Sequence, residues 1–136
     1  MHDLVSDWMT PNVISVSAST SLEEAASLMR TRNIRRLAVI DAEILVGILS
    51  LGDVRAAMAT ASADTAEFNH TPRVGAIMTP DPITIPLTAS VALAAQTMLQ
   101  LKVSGLPVVD MDGRLCGLLS ESDLFRYIVE ISKTTT

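Results

Sequence analysis

Apolar and polar positions follow one another in short blocks along the chain, and each block type predicts an element. Val13-Ile14-Ser15-Val16 reads as a short strand, and Ile83-Thr84-Ile85 repeats it. Ser21 then stands where a helix N-cap belongs, with Glu24 three residues on to complete a capping box. Leu22, Ala25, Ala26 and Met29 supply the apolar stripe of that helix; Ser90, Val91, Ala94, Ala95 and Met98 repeat the arrangement. The apolar runs at 37–40 and 106–109 predict buried strands. Each leads into a turn: Asp110-Met111-Asp112-Gly113, with Gly113 suited to positive φ, and the shorter Asp41-Ala42-Glu43. Strands return at 45–49 and 115–119, and helices follow from about Leu51 and Glu121. Each half therefore reads β-α-β-β-α. Met9-Thr10-Pro11 and Met78-Thr79-Pro80 precede these halves as the end of a short helix or turn, since proline disfavours helix at the residue before it.

The two halves are copies. Residues 5–41 align with a constant offset of 69, and 44–58 with an offset of 70, because Gly113 is one extra residue in the second copy. There are 17 identities in 52 aligned positions, among them Met-Thr-Pro, Ser21/Ser90, Gly47/Gly117, Ser50/Ser120 and Asp53/Asp123. The boundaries are 5–58 for the first copy, 59–73 for a polar linker and 74–131 for the second copy. A unit of about 55 residues is too small to bury much core alone, so the copies are expected to pack into one α/β body.

Composition narrows the function. The 136 residues are 49% hydrophobic but 3% aromatic, so the core must be aliphatic, and the stacking platforms of single-stranded nucleic-acid binders are not provided. A net charge of −5 disfavours nucleic acid and anionic membrane surfaces as partners. The longest apolar run, 44–49, is far too short for membrane insertion. One cysteine, Cys116, excludes an intramolecular disulfide, and the first residues lack an apolar signal core. These features lead to the expectation of a cytoplasmic protein. A mean hydropathy of +0.39 in so short a chain leads to the expectation of a homodimer.

Few residues carry candidate chemistry. Ser50-Leu51-Gly52-Asp53 and Ser120-Glu121-Ser122-Asp123 read, on their own, as capping boxes. Arg30, Arg32, Arg35 and Arg36 place four of the ten basic residues within seven positions. Arg30 and Arg32 suit a helix C-terminus, whereas Arg35 and Arg36 lead straight into a strand and are less simply explained. His2, His70 and Cys116 are isolated and lack metal-ligand spacing. Cys116 reads as a small core residue. Trp8, aligned with Ile77, reads as packing at the interface of the copies or of a dimer. No phosphate loop, dinucleotide fingerprint or nucleophile elbow occurs, so an enzyme is not expected.

The order Met-Thr-Pro, short strand, Ser-capped helix, Leu106-Pro107-Val108-Val109-Asp110, then Gly-apolar-apolar-Ser-x-x-Asp resembles the CBS domain, and the tandem resembles a Bateman module. The resemblance covers about 110 of 136 residues. Ala38 departs from it where Pro107 keeps the pattern. It implies two packed CBS domains that bind an adenine nucleotide in clefts shared between the copies, with no catalytic residues and no cofactor. The Asp would accept from the ribose diol, and the Ser would contact ribose or phosphate. One implied cleft comprises Thr10, Ile14, Ser15, Ile34, Arg35 and Arg36 with Ser120 and Asp123. The other comprises Thr79, Ile83, Thr84, Val103, Ser104 and Gly105 with Ser50 and Asp53. Arg36, then Arg35, are the implied phosphate contacts. AMP, ADP or ATP are the first candidates as regulatory ligand, with S-adenosylmethionine and NAD also in range. The output would pass through a module dimer to an unidentified regulated protein. The competing expectation is a dimerisation module with empty clefts that recruits an enzyme or transporter.

Overall fold

The computed structural model describes residues 2–63 and 72–134; residues 64–71 of the expected linker, His70 among them, lie outside the described residues. In chain order the elements are α1 (Val5–Trp8), β1 (Thr10–Pro11), β2 (Ser15–Ser17), α2 (Leu22–Arg32), β3 (Arg36–Asp41), β4 (Ile44–Ser50) and α3 (Leu51–Ala63). The second series is α4 (Val74–Ile77), β5 (Thr79–Pro80), β6 (Ile85–Pro86), α5 (Val91–Leu101), β7 (Gly105–Val109), β8 (Leu115–Ser120) and α6 (Glu121–Thr134). The helices predicted from Leu51 and Glu121 begin at those residues. Helix α3 continues through Ala63 into the stretch read as linker, which is alanine-rich and therefore of high helix propensity. The first strand of each half sits one to two residues later than the apolar pattern placed it.

The serine caps form, whereas the return bond expected from the Ser21 N–H to the Glu24 carboxylate is not made among the described residues. The Ser21 hydroxyl accepts the Glu24 N–H at 3.2 Å, and the Ser90 hydroxyl accepts the Leu93 N–H at 3.0 Å. Both helices end on a left-handed residue, Asn33 (φ 53°) and Lys102 (φ 57°). The apolar stripes of α2 and α5 are buried as their spacing requires: Leu22, Ala25 and Met29 in one, Val91, Ala94 and Met98 in the other.

The fold divides into two units, and their boundaries cut across the sequence copies. One unit is Ile14–Pro82; the other joins Met1–Val13 to Ile83–Thr136. In the first, the sheet order is β2-β3-β4-β5, with β2 and β3 parallel across the α2 crossover and the remaining pairs antiparallel. In the other, the order is β6-β7-β8-β1, with β6 and β7 parallel across α5. Each sheet thus takes its last strand from the Met-Thr-Pro segment that opens the opposite copy. Met-Thr-Pro does end a short helix in each copy, with α1 capped at Met9 and α4 at Met78, but the Thr-Pro that follows is an edge strand and not a turn: Thr10 pairs with Leu118 and Thr79 with Ile48. A two-residue strand carries too little periodicity to be read from sequence.

Each unit has its own aliphatic core. Leu22, Met29, Leu37, Val39, Leu49, Val54 and Val74 form one; Val5, Ile85, Met98, Leu106, Val108 and Leu119 form the other. Val74 and Val5, at the starts of α4 and α1, are fully buried in the unit that their segment completes.

The hairpins differ. Gly113 takes φ 84° in the β7–β8 turn, and the Asp110 carboxylate accepts the Asp112 and Arg114 N–H groups at 2.9 Å each. In the β3–β4 turn Ala42 (φ 49°) and Glu43 (φ 70°) both occupy the left-handed region, which their Cβ atoms disfavour. Replacing the pair by Asn-Gly (Ala42→Asn with Glu43→Gly) should raise stability by about 1 kcal/mol. Urea unfolding would show a higher midpoint at an unchanged slope; an unchanged midpoint would mean that the turn is unstrained.

Candidate functional site

The Ser-x-x-Asp segments sit where a central strand becomes a helix. In the 14–82 unit, the Ser50 hydroxyl accepts the Asp53 N–H at 3.0 Å, and the Asp53 carboxylate accepts the Ser50 N–H at 3.4 Å. The box is reciprocal, as the sequence predicts. At the equivalent place in the other unit, Asp123 Oδ2 accepts the Ser120 N–H at 2.9 Å and its hydroxyl at 3.2 Å. Asp123 is 4% exposed and is the buried charged residue among those described. A carboxylate can be held there because the helix start supplies N–H donors and a favourable field.

The segment before each second strand lies against the same helix start. The Arg35 carbonyl accepts the first α3 N–H, from Leu51, at 2.8 Å, and Arg36 is in register with Ser50. The Ser104 carbonyl likewise accepts the Glu121 N–H at 3.1 Å, and Gly105 is in register with Ser120. Arg35 and Arg36 have exposed side chains. The expected site residues therefore divide by unit. Ile14, Ser15, Ile34, Arg35, Arg36, Ser50, Asp53 and Thr79 lie in one; Thr10, Ile83, Thr84, Val103, Ser104, Gly105, Ser120 and Asp123 lie in the other. Within a unit the fold brings Arg35 and Arg36 beside Ser50, and Ser104 and Gly105 beside Ser120.

The position of each Thr depends on a glycine. A Cβ on Gly117 would stand 2.7 Å from Met9 Sδ and 2.8 Å from the Thr10 carbonyl oxygen; one on Gly47 would meet Met78 and, at 3.0 Å, the Thr79 carbonyl oxygen. Only glycine lets the Met-Thr segment lie this close on the central strand. That accounts for the identity at 47 and 117, as well as that of Met-Thr.

Sequence reasoning missed Arg126. Its Nη2 donates to Asp123 Oδ1 at 2.6 Å and to the Trp8 carbonyl at 3.1 Å, and its guanidinium lies 5.7 Å from the Trp8 ring centre. Trp8 meets Tyr127 edge-on at 5.5 Å and donates to the His2 carbonyl at 2.6 Å, so it packs against the second copy, as one of its two expected roles required. The i, i+3 spacing of Asp123 and Arg126 was the available signal. Cys116 is half-buried in the irregularity of β8 opposite Val108 and Val109, and not in the core. Burial, then the Asp110 carboxylate, pushes its thiol above the usual range, which disfavours the reactive thiolate. Among the described residues no group of three or more His, Cys, Asp and Glu could hold a metal ion, and no helix is long and apolar enough to cross a membrane.

The CBS domain family matches this chain at residues 5–60 and again at 74–130. The chain belongs to the CBS domain family. This CBS pair is 31% identical to a CBS domain-containing protein of Dictyostelium discoideum, over 96% of this chain and 94% of that one. It is 30% identical to chloroplastic CBSX2 of Arabidopsis thaliana, over 96% of this chain and 66% of that protein. The crystal structure of CBSX2 in complex with AMP superposes with a TM-score of 0.82 at 33% identity, covering 96% of this chain and 98% of that one. The CBS pair of protein MJ0100 in complex with 5′-methylthioadenosine and S-adenosylmethionine superposes with a TM-score of 0.75 at 28% identity, covering 96% and 98%. The α/β class and tandem CBS architecture are thereby established for this chain.

Because Asp123 closes the start of α6 with two bonds from Ser120, Asp123→Ala should destabilise the CBS pair by about 1–3 kcal/mol. A melting curve that does not move would show that the box contributes nothing to folding.

Proposed function

We propose that this CBS pair is a non-catalytic regulatory module that binds an adenine-containing nucleotide. The observation that carries the reading is the helix start itself. In each unit a Ser-x-x-Asp box, the pre-strand segment whose carbonyl accepts the first helix N–H and an exposed Thr-Pro edge strand are gathered at one end of a sheet. Carboxylate acceptors suit a vicinal diol, and a helix N-terminus suits an anion. AMP, 5′-methylthioadenosine and S-adenosylmethionine, found in complex with similar pairs, have the adenosine moiety in common and differ beyond the 5′ carbon. That common part fits recognition centred on base and ribose, with phosphate as an addition.

Within this reading the sixteen residues divided above are the ligand contacts. Asp53 and Asp123 take the ribose, Ser50 and Ser120 the ribose or phosphate, and Thr10 and Thr79 flank them. The hydrophobic Ile14, Ile34, Ile83 and Val103 cover the base, and Ser15, Thr84, Ser104 and Gly105 contribute backbone groups. Arg36 and Arg35 meet the phosphate; Ser104 and Gly105 at the equivalent positions bring no charge, so the two copies should differ in their preference for polyphosphates. Calorimetry should show purine-selective, magnesium-independent binding, with ATP favoured over CTP. Arg36→Ala should cost ATP more than adenosine, by about 1.5–3 kcal/mol for a charged hydrogen bond, or roughly 10- to 150-fold. Equal affinity for ATP and CTP would overturn the reading, and so would an Arg36→Ala loss that is the same for adenosine and ATP.

The output passes through a homodimer to a regulated protein, and the module acts in the cytoplasm. Helix α6 supplies the support for dimerisation: Phe125 is 61% exposed, and Ile128 and Val129 are 53% exposed each, on a helix that packs through Asp123, Leu124 and Tyr127 in its first two turns. Leu99 on α5 is 80% exposed. Apolar side chains at this spacing form a face that a second copy can cover. Light scattering at micromolar concentration should give the mass of a dimer, and Phe125→Glu with Ile128→Glu should give the monomer. A wild-type monomer would exclude the dimeric output.

The alternative is a ligand-free interaction module that recruits an enzyme or transporter. The apolar α6 face alone favours it, and absence of any nucleotide-dependent shift in melting temperature would select it. A ligand at 100 times its dissociation constant adds about 2.7 kcal/mol.

A further inference from the structure

The two aspartates of the repeat are not equally available. Asp53 is half-buried and, among the described residues, accepts the single long bond from the Ser50 N–H at 3.4 Å. The Ser50 hydroxyl accepts the Asp53 N–H and so keeps its proton free to donate. An open depression lined by Asp53, Ala56, Ala57, Ala76 and Ile77 adjoins it. The repeat maps Ala56, Ala57 and Ile77 onto Arg126, Tyr127 and Trp8. In that unit the three large side chains meet, Trp8 edge-on to Tyr127 at 5.5 Å and under the Arg126 guanidinium at 5.7 Å. Asp123 Oδ2 already takes two bonds from Ser120, and Oδ1 takes Arg126 at 2.6 Å. An ionised carboxylate offers about four lone-pair sites. Three are filled at Asp123 and one at Asp53.

We infer that Arg126 is an internal competitor for the ribose hydroxyls at Asp123, so that a nucleoside binds first at Asp53 and reaches Asp123 only by displacing Arg126 from it. The inference rests on the adenine-nucleotide reading and adds an order of occupancy to it. Arg126 is suited to this role because its side chain is 59% exposed while its partner is 6% exposed: the guanidinium can swing into water, whereas the carboxylate stays in place. Displacement also takes the cation from the face of Trp8, the chain's one tryptophan, so emission from that ring should report the second event and not the first.

Adenosine is the probe, because it presents the ribose without phosphate charge that an arginine could attract. Titration of the wild type should resolve a tight step lost in Asp53→Asn, followed by a weaker step accompanied by the Trp8 emission change. Arg126→Ala should tighten the weaker step about two- to fivefold, a modest gain because an exposed guanidinium is partly screened. The converse variant, Ala56→Arg, places the guard at an exposed position of α3 and should weaken the tight step by a similar factor. Because that position is exposed, this arm stands even if Arg126→Ala fails to fold, which its melting curve would show. Unchanged or weaker adenosine binding by a folded Arg126→Ala protein would overturn the inference, as would an Ala56→Arg protein that binds like the wild type. Adenosine and AMP binding by none of the proteins would instead overturn the nucleotide reading, and this inference with it.

Discussion

The contact on which the rest depends is the close approach of a Met-Thr segment to a glycine on the central strand. At Gly117 and Gly47 there is no room for a methyl group, and the space a Cβ would need is taken by a Met side chain and a Thr carbonyl. That approach lets β1 pair with β8 and β5 with β4, which completes each four-stranded sheet. It also draws the preceding turn of helix inward, so that Val5 and Val74 reach full burial. A side chain at either glycine would have to push the Met side chain and the Thr carbonyl off the central strand.

Because each edge strand comes from the opposite copy, neither copy of about 55 residues builds its sheet alone. This is how two small repeats obtain cores they could not have separately. The same exchange sets a Thr beside the strand-to-helix junction of each unit, where the Ser-x-x-Asp box, the pre-strand carbonyl and the helix field already coincide. Folding requirements and the proposed ligand contacts share these atoms. The carboxylate that takes the N–H of Ser50 or Ser120, the residue just before α3 or α6, is the group whose remaining lone pairs would serve a ribose in the proposed reading.

Duplication then allowed the junctions to diverge. The first copy has Arg35 and Arg36 before its strand and alanines along the first turns of α3. The second has Ser104 and Gly105 before its strand, and Arg126 and Tyr127 along α6. The backbone is nearly repeated, down to paired left-handed residues at Asn12 and Asp81 and at Asn33 and Lys102. The charge is not. A ligand can bias a conformational equilibrium only through its different affinity for the alternative arrangements, and under the proposed reading two unlike junctions would give this CBS pair two unlike affinities to work with.

Much was legible in the chain by itself. The 69-residue echo, the Ser-capped helices, the apolar strands and the Gly113 turn all follow from local periodicity and side-chain chemistry, and the structure contains each of them. The reciprocal box of Ser50 and Asp53 was likewise local, as was the bond from the Ser120 N–H to Asp123; the Ser120 hydroxyl departs from the expectation by donating to Asp123 instead of accepting a helix N–H. Tertiary structure decided what depends on residues far apart in sequence. The pairing of Thr10 with Leu118 and of Thr79 with Ile48 joins segments that no local pattern connects. The bond from Arg126 to the Trp8 carbonyl spans the chain, and only that placement turns a common i, i+3 pair into a guanidinium held over the sole tryptophan. Periodicity records which face of an element is buried; it carries no information about which distant segment covers that face, because that is settled by shape and by the space a glycine leaves.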